Sequence, residues 1–209
     1  SALFVDEARL EAYAALTALV PQTACYAVPS HVLAAISQVK TPQGVAAVCA
    51  MPPSPAPEEM GNRLILLENV QDPGNVGTLL RTLDAAGFDG CILTPGCADP
   101  FGPKALRATM GSVFRVPVCS VGNTVETVQA LNARGYATLA AALDGENFYR
   151  RAPLPARLCV LIGNEGAGLT KQAQDACTHR FRLPMRGGAE SLNAAVAAAV
   201  MMYDLINRE

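Results

Sequence analysis

Three short stretches gather polar side chains and glycines in a way that core packing does not require: NVQDPGNVGTLLR (69–81), GNEGAGL (163–169) and MRGGAESLN (185–193). In the first, an Asp-Pro step and two glycines lead into a helix, a turn whose free N–H groups suit an anion. Its spacing is that of neither a Walker loop nor a dinucleotide fingerprint. Asp72 and Pro73 suit a turn and Asn75 suits a helix cap. Arg81 follows in an otherwise apolar segment, where two partners fit it: Asp84 at i+3 on the same helix, or a phosphate gripped by the planar guanidinium.

In the second stretch, Gly163, Gly166 and Gly168 are compatible with an ordinary strand-to-helix turn. Glu165 among them serves either as a local cap or as an acceptor that orients a neighbouring group. In the third, Ser191 is the expected N-cap of a helix running through LNAAVAAAVMMYDLINRE. That helix is apolar and mostly small nearly all round, which predicts burial on more than one side, shared between core and a subunit interface.

The elements that must position these loops are legible around them. After a Pro-rich segment, MPPSPAPEEMGN (51–62), apolar runs at 64–68, 90–94, 114–119, 136–143, 158–162 and 179–184 read as strands. Helical patterns fall at 75–87, 102–111, 123–134, 170–177 and 191–207. Continuous apolar strands alternating with helices predict an α/β fold, a parallel sheet with helices on both faces. Each of the three polar loops follows a strand, so all three are expected at the carboxyl edge of the sheet, where such folds bind ligands. Ahead of the Pro-rich segment the reading is a helix near 6–19, a strand at ACYAV, a helix at PSHVLAAIS and a strand at GVAAVCA.

Composition narrows the function. Hydrophobic residues make up 51% and charged residues 16%, enough for a sizeable core. No apolar run spans a bilayer, and the acidic start lacks the basic region of a secretion signal. The missing initiator Met suggests a trimmed beginning. Seven cysteines with no Cys-x-x-Cys pair fit a reducing cytoplasm, and two histidines are thin material for a metal site. A net charge of −2 argues against a broadly basic nucleic-acid face but leaves room for a local one.

Taken in order, Asn-x-x-Asp-Pro-x-Asn-x-Gly-x-x-x-Arg, Gly-Asn-Glu-Gly-x-Gly-Leu and Leu-Pro-Met-x-Gly-x-x-x-Ser-Leu-Asn resemble the three motifs of the SpoU (TrmH-type) RNA ribose 2′-O-methyltransferases, within the SPOUT superfamily. RATMGSVFRVPV (107–118) also resembles that family, and Leu83 departs from it at a position where Ala is usual. Residues 1–50, KTPQGVAAV (40–48) above all, resemble part of an L30e-like RNA substrate-binding domain. The resemblance implies a linker over 51–62 and a methyltransferase domain over 63–209, with a C-terminal trefoil knot that general topology rules disfavour.

It also implies S-adenosylmethionine as cofactor, contacted at Gly163, Leu183 and Leu192, and functional polar residues at Asn75, Arg81, Glu165, Ser191 and Asn193. The expected substrate is structured RNA, 23S rRNA ahead of tRNA, and the expected assembly a homodimer. A catalytically silent RNA-binding or ribosome-assembly factor is the alternative. The transfer needs no metal, because the departing thioether is neutral. Since a guanidinium stays protonated, Arg81 is expected to hold phosphate and polarise the 2′-hydroxyl, with phosphate or water receiving the proton.

Overall fold

The first residues, ahead of the helix expected near 6–19, form a strand where the sequence reading placed no element. In this computed structural model, which describes residues 1–19, 24–37, 39 and 41–208, Ala2–Asp6 is β1, with Leu3 and Val5 buried and Ala2 and Phe4 half-buried between them. That period of two marks a sheet with one covered face. Asp6 closes the strand by accepting from Ala8 N–H at 3.0 Å and Ser30 Oγ at 2.7 Å. The helix expected near 6–19 is consequently broken into two 3-10 turns, Glu7–Arg9 and Glu11–Tyr13, and a short α1, Ala14–Ala18. Then come β2 (Ala24–Val28), α2 (Ser30–Ile36) and β3 (Val45–Val48), with β1 parallel to β2 and antiparallel to β3. Lys40, the first residue of the stretch resembling an L30e-like domain, lies outside the described residues. The chain divides into two units, Ser1–Pro52 and Pro53–Glu209.

The second unit alternates as its apolar runs require. In chain order it comprises β4 (Arg63–Leu67), α3 (Pro73–Ala85), β5 (Gly90–Leu93), α4 (Pro103–Thr109), β6 (Val118–Ser120), α5 (Thr124–Ala133), β7 (Ala137–Asn147), β8 (Leu158–Ile162), α6 (Lys171–Ala176), β9 (His179–Arg182) and α7 (Ala194–Asn207). The six strands are parallel in the order β6-β5-β4-β8-β7-β9. Alternate residues of β4 feed two cores. Ile65 and Leu67 pack with Leu80 and Met202 on one face, Leu64 and Leu66 with Val128 and Leu131 on the other. Burial on both faces is why β4, β5 and β8 read as unbroken apolar runs.

Three element boundaries depart from expectation. The run at 114–119 contributes only the short β6, because Met110 and Gly111 adopt left-handed backbone (φ 50° and 86°) and turn the chain into a 3-10 turn at Ser112–Phe114. β7 continues to Asn147, but its register against β9 shifts between Ala141 and Glu146. At that detour a Cβ on Gly145 would lie 2.6 Å from Phe181 N, so only glycine fits without a shift. Finally, α7 begins at Ala194, and its cap is Asn193 rather than Ser191. Among the described residues no helix is long and apolar enough to cross a membrane.

Candidate active site

The loops following β4, β8 and β9 meet at the carboxyl edge of the sheet. Asp72, not Asn75, caps α3, its Oδ1 accepting from Gly74 N–H at 2.7 Å. Lys104 of α4 reaches the same oxygen at 3.1 Å. With Asp72 holding the helix start, the Asn75 side chain is free to face the other loops.

Glu165 is the hub. Its Oε1 accepts from Asn75 Nδ2 at 2.9 Å and Asp72 N–H at 3.0 Å, and Oε2 accepts from Gln71 N–H at 3.2 Å. Partial desolvation would raise its pKa. The donors from Asn75, Asp72, Gln71 and its own backbone outweigh that and hold the carboxyl below its usual range. Because the carboxylate only accepts, Asn75 must turn its amide nitrogen toward Glu165 and its Oδ1 away. That oxygen accepts from Asn193 Nδ2 at 3.0 Å. Asn193 Oδ1 then caps α7, accepting from Ala195 N–H at 2.9 Å and Val196 N–H at 3.3 Å. One relay, Glu165 to Asn75 to Asn193, therefore ties together residues 90 and 118 positions apart.

A second set of contacts shapes the middle loop. Asn164 Nδ2 donates to Asn69 O at 2.9 Å, while its Oδ1 takes the N–H groups of Gly166 and Ala167, each at 3.0 Å. Asn69 sits in left-handed backbone, φ 56°. Glu68, buried at the end of β4, accepts from Thr170 N–H and Oγ1 at 2.7 and 3.0 Å, and Thr170 in turn caps α6. Sequence reasoning passed over Glu68 and Asn164. The available signals were a carboxylate at the end of an apolar strand and an Asn directly after a strand-ending glycine. Gly163 is tight against its own chain: a Cβ there would lie 2.1 Å from Gly168 C and Leu169 N.

Beside the relay lies a cavity of about 450 Å³, within the range of small-molecule sites. Gly163, Leu183 and Leu192 line it, as do Glu165, Ser191 and Met185, together with the β7 detour at Ala141–Asp144. Its walls mix apolar side chains with the backbone of a glycine-rich loop. Asn75, Asn193 and Arg81 are not among its lining residues. Arg81 is exposed and has no hydrogen-bond or ion-pair partner among the described residues. The Asp84 partner open to it from sequence is taken by Arg115, whose Nε and Nη2 donate to Asp84 Oδ2 at 2.9 and 2.6 Å. Among the described residues no group of three or more His, Cys, Asp or Glu could hold a metal ion.

Residues 62–203 match the SpoU rRNA methylase family. The chain is 39% identical over 181 residues to the 23S rRNA (guanosine(2553)-2'-O)-methyltransferase RlmP of Bacillus subtilis, a stretch covering 87% of this chain and 72% of that protein. It spans 58% of a TrmH-family tRNA/rRNA methyltransferase of Staphylococcus haemolyticus at 34% identity. Among solved structures it resembles the SpoU methyltransferase AviRb from Streptomyces viridochromogenes in complex with AdoMet, at TM-score 0.87 and 29% identity, covering 99% of this chain and 82% of that one.

Proposed function

The chain belongs to the SpoU rRNA methylase family, and from that premise we propose that it methylates a ribose 2′-hydroxyl in 23S rRNA, using S-adenosylmethionine. The observation that carries this reading is the relay from Glu165 through Asn75 to Asn193, which fixes three loops around one cavity and leaves Arg81 without a partner among the described residues on the helix that Asp72 starts.

The cavity suits the methyl donor. Apolar surface at Leu183, Leu192 and Met185 fits an adenosine and thioether body, and the backbone of residues 163–169 offers hydrogen-bonding groups. S-adenosylmethionine supplies an activated methyl on a sulfonium. The chain's own residues do the rest. Asn75 and Asn193 set the position of α3 and of the α7 start against the cavity, and Glu165 fixes both by accepting from the Gln71 and Asp72 N–H groups and the Asn75 side-chain amide. Ser191 lies on the cavity wall, where its hydroxyl can contact donor or ribose. Arg81 grips the target phosphate and polarises the 2′-hydroxyl, which aligns the attacking oxygen. A guanidinium remains charged, so the departing proton goes to phosphate or water.

The N-terminal unit, Ser1–Pro52, belongs in this reading to an L30e-like RNA-binding domain, and the chain after β9 follows the family's trefoil knot. The protein acts as a homodimer in the cytoplasm. Support for the dimer is the apolar stripe left open on α7, where Val196 and Tyr203 are 48% and 43% exposed. Mapping 2′-O-methyl groups in rRNA and tRNA from cells with and without the gene tests the substrate. Loss of one rRNA mark is expected. Loss of a tRNA mark alone would overturn the rRNA assignment, and RNA binding with no mark lost would indicate a silent RNA-binding factor.

A further inference from the structure

The segment 107–118 has no role in the relay or the cavity, yet its geometry borders Arg81. α4 crosses α3 at Gly77, where a Cβ would lie 2.5 Å from Ala108 Cβ and 2.6 Å from Ala105 O. Seven residues further along α3, Asp84 holds Arg115, which Ser112 Oγ also contacts at 3.0 Å from Nη2. Arg81 stands between these two attachments, one turn past Gly77 and on its side of the helix. The 3-10 turn carrying Phe114 is therefore fastened beside Arg81.

Two large apolar residues are presented outward there. Met110 is 68% exposed and Phe114 60%. Met110 sits in left-handed backbone, a conformation that bulky residues rarely adopt and that concentrates at functional sites. The surroundings are basic. Across residues 72–85 and 103–115 the charged side chains are Arg81, Lys104, Arg107 and Arg115 against Asp72 and Asp84, which pair with Lys104 and Arg115 and leave a net excess from Arg81 and Arg107, in a chain whose net charge is −2. Arg107, like Arg81, is exposed and has no partner among the described residues. An exposed aromatic ring near arginines that have no partner among the described residues, Arg81 and Arg107, is the surface that single-stranded RNA takes, bases on the ring and phosphates on the guanidinium groups.

We propose that Phe114 and Met110 form a stacking platform for an unpaired nucleobase next to the methylated ribose, with Arg107 holding the phosphate between them. The inference rests on the reading of the chain as an RNA 2′-O-methyltransferase. It goes beyond that reading by assigning a contact to a nucleotide that is not modified.

The test uses the full chain with a large-subunit rRNA transcript, measuring transcript affinity, methyl transfer and S-adenosylmethionine affinity. Phe114→Ala is expected to weaken transcript binding and raise its KM roughly ten-fold, the loss of one stacked base, with cofactor affinity unchanged. Phe114→Tyr, which keeps the ring, should behave as wild type. Arg107→Gln should lower the salt dependence of binding by about one unit of slope. Unchanged RNA affinity and KM in Phe114→Ala overturns the platform while leaving the methyltransferase reading intact. A wild-type dimer that Phe114→Ala converts to monomers also overturns it, because the ring then faces a second copy. A wild type that binds the transcript without methylating it defeats the enzymatic reading, and the binding comparison still decides the platform.

Discussion

Asn75 and Asn193, 118 residues apart, join their side-chain amides at 3.0 Å, and each amide spends its other end on a different partner. Asn75 donates to Glu165, and Asn193 accepts from the first N–H groups of α7. Asn193→Asp separates the two tasks. Its carboxylate keeps the cap, which a helix N-terminus favours, but sets a negative charge against Asn75 Oδ1. Stability should stay within about 0.5 kcal/mol of wild type while methyl transfer falls at least ten-fold. Asn193→Ala should lose both, with about 1 kcal/mol of stability gone. Denaturant unfolding alongside transfer assays reads the difference, and an active Asn193→Asp would dismiss the contact.

Glu165 makes a pH prediction. Its folded-state pKa is lowered, so its contribution is complete above the unfolded value of about 4.3 and is lost only as pH falls through the lower folded value. No step between pH 5 and 8 should therefore arise from this group. Glu165→Gln should depress transfer across that whole window without altering the profile's shape. A titration near neutrality that disappears in the variant would contradict the assignment.

Arg81 is exposed and unpartnered among the described residues, so Arg81→Ala should shift stability by no more than about 0.5 kcal/mol. Transfer should be abolished and S-adenosylmethionine still bound. Arg81→Lys should fail badly as well, since a point charge does not replace a two-pronged donor. Were Arg81 the base, single-turnover methylation would show a titration that vanishes in the lysine variant with cofactor affinity unchanged. We expect any titration to persist.

Two glycines of the middle loop should behave differently. Gly163→Ala puts a Cβ 2.1 Å from backbone atoms of Gly168 and Leu169, so the loop must shift and both stability and cofactor binding should drop. At Gly166 the nearest atom to a new Cβ is Asn164 Oδ1 at 3.6 Å, so Gly166→Ala should fold normally. Equal thermal unfolding temperatures for the two variants would show that the tight contact is not needed.

The helix α7 sorts its own positions. Ala198 and Met202 are wholly buried in the core, whereas Val196 and Tyr203 face outward. Val196→Glu with Tyr203→Glu should leave a folded monomer, and Ala198→Glu should cost several kcal/mol by burying an unpaired charge. Wild-type protein that sediments as a monomer at micromolar concentration would end the dimer proposal.

The apolar runs by themselves determined the central strands β4, β5 and β8, because a strand buried on both faces must be continuously apolar; the alternation with helices located the others. Their punctuation by glycine and Asp-Pro also located the three loops at one sheet edge. Boundaries set by local competition were less legible. Whether Asp72 or Asn75 caps α3, and whether Ser191 or Asn193 caps α7, depends on which side chain another loop has already engaged. The ion pair of Arg115 with Asp84 was equally hidden, since it joins α3 to the residue that follows the 3-10 turn Ser112–Phe114, 31 positions along the chain. The tertiary structure alone decided that Glu165, Asn75 and Asn193 form one chain of hydrogen bonds and that Arg81 stands outside it. Hydrogen bonds act over about 3 Å, and only the folded sheet edge brings groups so distant in sequence within that reach.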